Sequence, residues 1–374
     1  MENEEIFDPF DEQEDKKLSE ETTESKTPFD PKDIDVQAVQ TTMSTLIQRL
    51  AHKEIDLNTE FQRASNLWSK KNMSRLIESL LIRFPLPAFY FDGTDDNKWQ
   101  VVDGLQRLST IQKFVVDKEL ELTELEFLPE YNDTSYNDLP RIMQRRIEEA
   151  QITYYLIKRG TPTNLKYSLF HRINTGGMQL KPQEIRHALS QGNNKGYASQ
   201  FLKEITDTKL FKEVVRISDK RMLDRELILR YVALRLKNYT AYKAPMITFL
   251  NDAMEDLGSQ SKEILSTLKT DLLNAFELAK KIFGDHAFRR PLSETSKKKA
   301  VNRALFEVIS VLFSQLSKIE RTRLEKNKTR FLTDFEKLFE DTDFYGSITY
   351  STAHKLSVTT RFEKINTIIQ KYIL

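Results

Sequence analysis

Cysteine is missing from all 374 residues. That excludes disulfide frameworks, thiol nucleophiles and every cysteine-built zinc or iron–sulfur site, and nothing in the chain asks for an oxidising compartment. Histidine is nearly as scarce. His52, His171, His187, His286 and His354 form no His-x-x-x-His pair and no glutamate-flanked zinc motif, so each reads as an ordinary surface or core side chain. Glycine is limited to ten residues, and neither a Gly-x-x-x-x-Gly-Lys-Ser/Thr loop nor a Gly-x-Gly-x-x-Gly turn is among them, which argues against a P-loop or Rossmann site. No apolar run approaches the roughly 20 residues that cross a bilayer, and the acidic opening is unlike the basic-then-hydrophobic start of a signal peptide. A cytoplasmic protein with no membrane partner is the expectation. With 39% hydrophobic residues, the chain can bury a sizeable core in one or two globular domains.

The charge balance, 57 Lys+Arg against 56 Asp+Glu, conceals an asymmetry. Residues 1–26 carry eleven acidic side chains and only Lys16, Lys17 and Lys26, a net −8, which leaves 54 basic and 45 acidic residues, or +9, for the remainder. Such a body attracts polyanions for which the tail would compete. Low hydrophobicity with high charge predicts that residues 1–32 form a disordered acidic tail.

Beyond the tail, Thr41 and Thr42 are candidate caps for a helix with Met43, Leu46, Ile47 and Leu50 on one side, and Ile55 to Phe61 reads as extended. A second helix is predicted from about Ser69 to Arg83, since Met73, Leu76, Ile77, Leu80 and Leu81 keep a three-and-four spacing until Pro85 and Pro87 forbid it. The period then changes. Ala88–Phe91 and Trp99–Val102 are short aromatic and β-branched runs around a polar turn, the pattern of a β-hairpin.

Asp103-Gly104 follows the hairpin and opens a helical pattern from Leu105 to Val116. A strand-to-helix junction turns unpaired backbone N–H groups and the positive end of a helix dipole outward, where an anion can be held. Leu105, Leu108, Ile111 and Val115 fall on one apolar stripe, while Asp103, Gln106, Arg107 and Thr110 fall on a polar one. Gly104 would allow close approach of a ligand, Arg107 could fork onto phosphate oxygens, and Asp103 could hold a divalent ion or orient water. The plainer reading is a turn and a helix-surface ion pair worth ~0.2–0.5 kcal/mol.

Several separated blocks carry a family resemblance: Phe61-Gln62-Arg63, Trp68, Leu76-Ile77-Glu78-Ser79, Pro85-Leu86-Pro87, Asp103-Gly104-Leu105-Gln106-Arg107-Leu108-Ser109-Thr110, Phe170-His171-Arg172-Ile173-Asn174-Thr175-Gly176-Gly177 and Gln183-Glu184-Ile185-Arg186. In this order over residues 35–190 the chain resembles the N-terminal domain of GmrSD-type restriction systems. The resemblance implies a ParB/sulfiredoxin-like α/β nucleotide-binding core whose nucleoside triphosphate hydrolysis, with Mg²⁺, licenses or regulates attack on foreign DNA. It implies a pocket in which Asp103, Gly104, Gln106 and Arg107 answer to an Asp-Gly-Gln-Gln-Arg signature. Gln62 and Arg63 would supply a second wall, Arg172 and Asn174 would reach a base or ribose, and Glu78, Glu184 and Arg186 would give support. Asp103 and Arg107 become the catalytic candidates, and Asp103 the Mg²⁺ ligand. Leu105 departs from the signature, and as part of the apolar stripe it packs inward.

The later block has its own reading. Ile152–Ile157 reads as a core strand, Thr163 or Asn164 caps a helix carrying Leu165, Leu169, Phe170 and Ile173, and Gly176-Gly177 ends it as a C-cap. Leu180–Leu189 is helical, with Gln183, Glu184, Arg186 and His187 explained cheaply as surface polar residues. Residues 195–374 show amphipathic stretches without hairpin punctuation, at Leu202 and Ile205, Leu227–Leu236, Ile264–Phe283, Val301–Leu316, Phe331–Phe339 and Phe362–Ile373. A helical bundle is the economical fold. The basic runs Lys297-Lys298-Lys299 and Arg321 to Arg330 could meet a DNA backbone, although interspersed Glu320 and Glu325 suit a solvated face better.

The expectation is therefore an α+β chain: an acidic tail over 1–32, a GmrSD N-terminal-like, ParB-like domain over 33–192, and an all-α domain over 193–374. It would act as a nucleotide-binding, NTP-hydrolysing sensor or regulator in restriction or anti-phage defence. No His-Asn-His block is visible after residue 190, so a separate nuclease or effector subunit would be its partner. Two alternatives stay open: a DNA-binding or nicking protein that uses the same groove, and an adaptor with a degenerate pocket.

Overall fold

A computed structural model of the chain describes residues 35–57, 68–173, 180–193, 196–290 and 300–374. Gln62, Arg63, Asn174, the Gly176-Gly177 pair, Lys297-Lys298-Lys299 and the acidic tail lie outside the described residues. The fold is mixed α and β, with a five-stranded sheet near the N-terminus followed by helices. Two compact units divide it between Asn193 and Asn194.

The first unit contains β1 (Val36–Thr42), α1 (Met43–Ala51), β2 (Ile55–Asp56), α2 (Lys70–Leu81), β3 (Phe89–Asp92), β4 (Trp99–Asp103), α3 (Leu105–Ile111), α4 (Arg141–Glu148), β5 (Gln151–Ile157), α5 (Thr163–Ile173) and α6 (Pro182–Asn193). The strand order is β1-β5-β3-β4-β2. β1 pairs antiparallel with β5, β5 parallel with β3, β3 antiparallel with β4 across a bulge at Tyr90/Phe91, and β4 parallel with β2. Because strand side chains alternate between faces, Phe89, Phe91, Trp99, Val101, Ile152 and Tyr154 gather on one side. There they meet Met43, Leu46 and Leu50 of α1, Ile77, Leu80 and Leu81 of α2, and Leu105, Leu108 and Ile111 of α3. Leu105 is buried in this core. Tyr155, Tyr90 and Asp103 fall in one row across β5, β3 and β4, the bulge shifting the alternation of β4 between Val101 and Asp103.

Several expectations shift. Thr41 and Thr42 close strand β1, and Thr42 precedes α1 without a side-chain capping bond; its hydroxyl meets that of Ser44 instead. The polar edge strand β1 gives no sequence signal because only one of its faces meets the core. Helix α2 is shorter than the spacing suggests, and Ser69 caps it through Asn72 N–H. The helical run after Gly104 is regular to Ile111 and widens into a π turn over Gln112–Val116. Helix α5 starts at Thr163 itself. In α6, Gln183, Glu184, Arg186 and His187 are buried, not surface residues.

The second unit is helical: α7 (Tyr197–Thr206), α8 (Lys209–Val214), α9 (Leu223–Lys237), α10 (Met246–Gly258), α11 (Lys262–Phe283), α12 (Arg303–Ser314), α13 (Lys318–Lys326), α14 (Lys328–Lys337), α15 (Thr342–Thr349) and α16 (Lys355–Ile373). All twelve residues of α12 are buried, so its charged side chains must be paired inside the protein. Glu307 accepts from Arg230 of α9 at 2.6 Å and from Arg361 of α16, and Arg230 also binds Glu226 at 3.0 Å. Burial opposes ionisation of Glu307, but Arg361 and Arg230 outweigh it and hold the carboxyl below its ordinary value. Among the basic residues of α13, Arg321 donates to Leu316 O and Arg323 to Ile373 O, contacts that fasten helices. No helix among the described residues is long and apolar enough to cross a membrane.

Candidate functional site

The site candidate grows out of the end of β4. Gly104 has φ +99°, and a Cβ at that position would lie 2.5 Å from Phe89 Cδ1 and 3.2 Å from Arg107 Nη2. Glycine is therefore demanded twice, by the left-handed backbone and by the ring packed against it. The space that the sequence assigns to a close ligand is filled by Phe89 and the arginine. The chain turns there into α3, with Leu108 N–H bonded to Gly104 O at 2.9 Å.

Arg107 is buried, together with Thr110, although both lie on the polar stripe. The guanidinium stands over the Phe89 ring, 4.5 Å from its centroid. It donates through Nη1 to Pro87 O, and through Nη2 to Ala88 O at 3.1 Å and Asp103 Oδ2 at 2.7 Å. Burial lowers its pKa, and Asp103 pushes it back up by charge and hydrogen bond. Both effects leave a group that stays protonated throughout the physiological range. Pro85 and Pro87 prepare this contact: a proline-rich link cannot satisfy its carbonyls in a helix or a ladder, and Arg107 satisfies two of them. Asp103 is the open member of the pair, its side chain 36% exposed against 10% for the arginine.

Gln106 projects from the same turn, and its Oε1 accepts from Trp68 N–H at 3.2 Å. The junction thus joins Asp103, Gly104, Gln106 and Arg107. Across the sheet, Tyr90 stands opposite Asp103 and stacks on Tyr155, with centroids 4.8 Å apart and planes inclined by 14°. The Tyr90 hydroxyl titrates above its usual value, first because of burial, then because of Tyr155 and Asp103, against a smaller opposing pull from Arg107.

The supporting candidates have other partners. Glu78 is buried on α2 and receives three backbone N–H groups, from Phe127 at 2.7 Å, Leu128 at 2.9 Å and Glu126 at 3.1 Å. Its carboxylate organises that loop. Glu184 accepts from Lys181 N–H at 2.6 Å at the start of α6, and Arg186 lies over Tyr167 with 5.6 Å to the ring centroid. Arg172 is exposed in the last turn of α5.

One polar cluster escapes the sequence reading. Lys166 of α5 is fully buried and reaches Asp92 Oδ2 at 3.0 Å and Thr94 Oγ1, while Thr94 N–H and hydroxyl both bind Asp92. The signal was available: Lys166 precedes Phe170 by one helical step, and so lies on the helix's apolar side. Among the described residues no three His, Asp or Glu are grouped to hold a metal ion, so Asp103 is a single-carboxylate candidate.

No curated protein matches the chain. Residues 43–191 match the family described as GmrSD restriction endonuclease, N-terminal domain, a span that includes the whole junction, the Glu78 loop and most of α6. That segment of the chain is therefore similar to the same family that its separated sequence blocks resemble.

Proposed function

We propose that the chain is the nucleotide-binding sensor or regulatory component of its restriction system, that a ParB/sulfiredoxin-like core grips a nucleoside triphosphate at the Asp103–Arg107 junction, and that a separate chain cuts the DNA. The observation that carries the reading is the fixed guanidinium at the start of α3. An arginine has five N–H donors. Three are bonded to Pro87, Ala88 and Asp103, which fixes the guanidinium beside a half-open carboxylate. A donor already held in place loses little freedom when an anion arrives. Mg²⁺ fits this site in its usual manner, with one carboxylate, Asp103, and the rest of its shell from phosphate oxygens and water, and it would supply charge neutralisation at the phosphates. Electrostatic stabilisation of the transferring phosphoryl group would be the main catalytic contribution. Leu105 gives the site one polar group fewer than the family signature, so binding is the primary claim and turnover the secondary one.

Thermal unfolding with Mg-ATP or Mg-GTP tests the claim. Nucleotide at ~100 times its Kd adds about 2.7 kcal/mol of stability, a rise of several degrees for a protein of this size. Arg107→Lys keeps a cation but loses the fork, and should lose most of that rise relative to its own unliganded Tm. No shift with any nucleotide, together with salt-sensitive retention on DNA, would transfer the groove to a phosphodiester ligand. Phosphate release is measured separately, because binding does not establish turnover.

A further inference from the structure

We infer that the stacked pair Tyr90 and Tyr155 is the seat for the base of the nucleotide, with Tyr155 as its outer, specificity-setting ring. The inference rests on the nucleotide reading above and extends it from the phosphates to the other end of the ligand. Three adjacent strands place Tyr155, Tyr90 and Asp103 in one row, since Tyr90 is in register with Tyr155 on one side and, where the bulge shifts the alternation of β4, with Asp103 on the other. Neighbouring strands are ~4.8 Å apart. The row therefore runs about 10 Å from an aromatic end to the Asp103–Arg107 pair. A ligand that matches it has a flat ring at one end and anionic oxygens at the other, which is the layout of a nucleotide.

The two tyrosines are poor candidates for a packing role. Both are half-buried, and neither is part of the core that takes in Phe89, Phe91, Trp99 and Tyr154 from the opposite side of the same strands. Their rings lie nearly parallel at 4.8 Å, the offset arrangement that a further ring can continue. The next row of the same face is closed, because Asp92 there is joined to Lys166 of α5. Tyr90 also feels the charges of Asp103 and Arg107, which ties the aromatic and the ionic halves of the row into one neighbourhood.

The test uses the full chain, calorimetric titration, and two probes: Mg-ATP and inorganic triphosphate with Mg²⁺. Tyr155→Leu removes the ring and Tyr155→Phe keeps it. A lost base stack should weaken Mg-ATP binding about tenfold or more in Tyr155→Leu, leave triphosphate binding within about twofold, and leave both unchanged within the same margin in Tyr155→Phe. Unaltered Mg-ATP affinity in Tyr155→Leu overturns the inference while sparing the phosphate site. So does an equal loss of both ligands, which would mean general damage to the fold, and so does a Tyr155→Phe variant as weak as Tyr155→Leu. If the unmodified protein binds triphosphate but gains nothing from the base, the inference also fails. If it binds neither probe, the nucleotide reading itself is overturned and the base seat with it.

Discussion

Gly104 and Gly160 separate two physical costs that are usually measured together. Both have strongly positive φ, +99° and +102°, but a Cβ at Gly104 would overlap Phe89 whereas one at Gly160 meets nothing within 4 Å. Gly160→Ala should therefore cost only the left-handed backbone penalty, about 1–2 kcal/mol. Gly104→Ala should cost a further ~1–3 kcal/mol for overpacking against the ring. Denaturant unfolding of the two variants reads the difference, and equal losses would show that Phe89 yields freely. Lys166 offers a second comparison at this scale. Lys166→Met strands the buried Asp92 carboxylate, which should destabilise the domain by about 3–5 kcal/mol. Adding Asp92→Asn should recover a large part of that loss, because the two sites share one interaction. A double variant no better than the single one would mean that the unpaired carboxylate is not the source of the loss.

The backbone of the loop at 126–128 hangs from α2 through the Glu78 carboxylate, with an Arg75–Glu126 ion pair beside it. Glu78→Gln places an amide donor where a backbone N–H now points, and should cost about 1–3 kcal/mol. Hydrogen exchange at Glu126, Phe127 and Leu128 should accelerate, while the interior of α2 stays protected. If those three amides exchange as before, the loop has other support. At this scale the sequence was informative wherever one face of an element meets a core. The spacing from Met73 to Leu81 announces α2, the aromatic runs announce β3 and β4, and Asp103-Gly104 marks the turn into α3. It was uninformative where a polar side chain is buried by something distant along the chain. Nothing local to Arg107 reveals that the carbonyls of Pro87 and Ala88 come down on its guanidinium, or that Glu184 and Arg186 of α6 are inside. β1 has a polar edge face and no pattern to betray it, whereas α10 repeats at helical spacing through Met246, Phe249, Leu250, Ala253 and Leu257.

Among the described residues two hydrophobic cores share no residue, one from Met43 to Tyr154 and one from Ala198 to Ile373, so unfolding should not be a single two-state event. Glu307 reports on the second core alone. Its folded-state carboxyl sits below the ordinary value because Arg361 and Arg230 outweigh the cost of burial. The stabilisation is therefore complete above the unfolded value of ~4.3 and is lost as pH falls through the lower folded value, where the unfolded chain binds the extra proton. Scanning calorimetry between about pH 7 and pH 3 should then show one transition that moves down steeply below about pH 4.5. Glu307→Gln should lower that transition at neutral pH, by about 3–5 kcal/mol for leaving buried Arg361 without its carboxylate and Arg230 with Glu226 alone, and should flatten its acid dependence by roughly the one proton that Glu307 contributes. The other transition should respond to Lys166→Met and ignore Glu307→Gln. If one variant moves both transitions equally, the two cores unfold as one cooperative body.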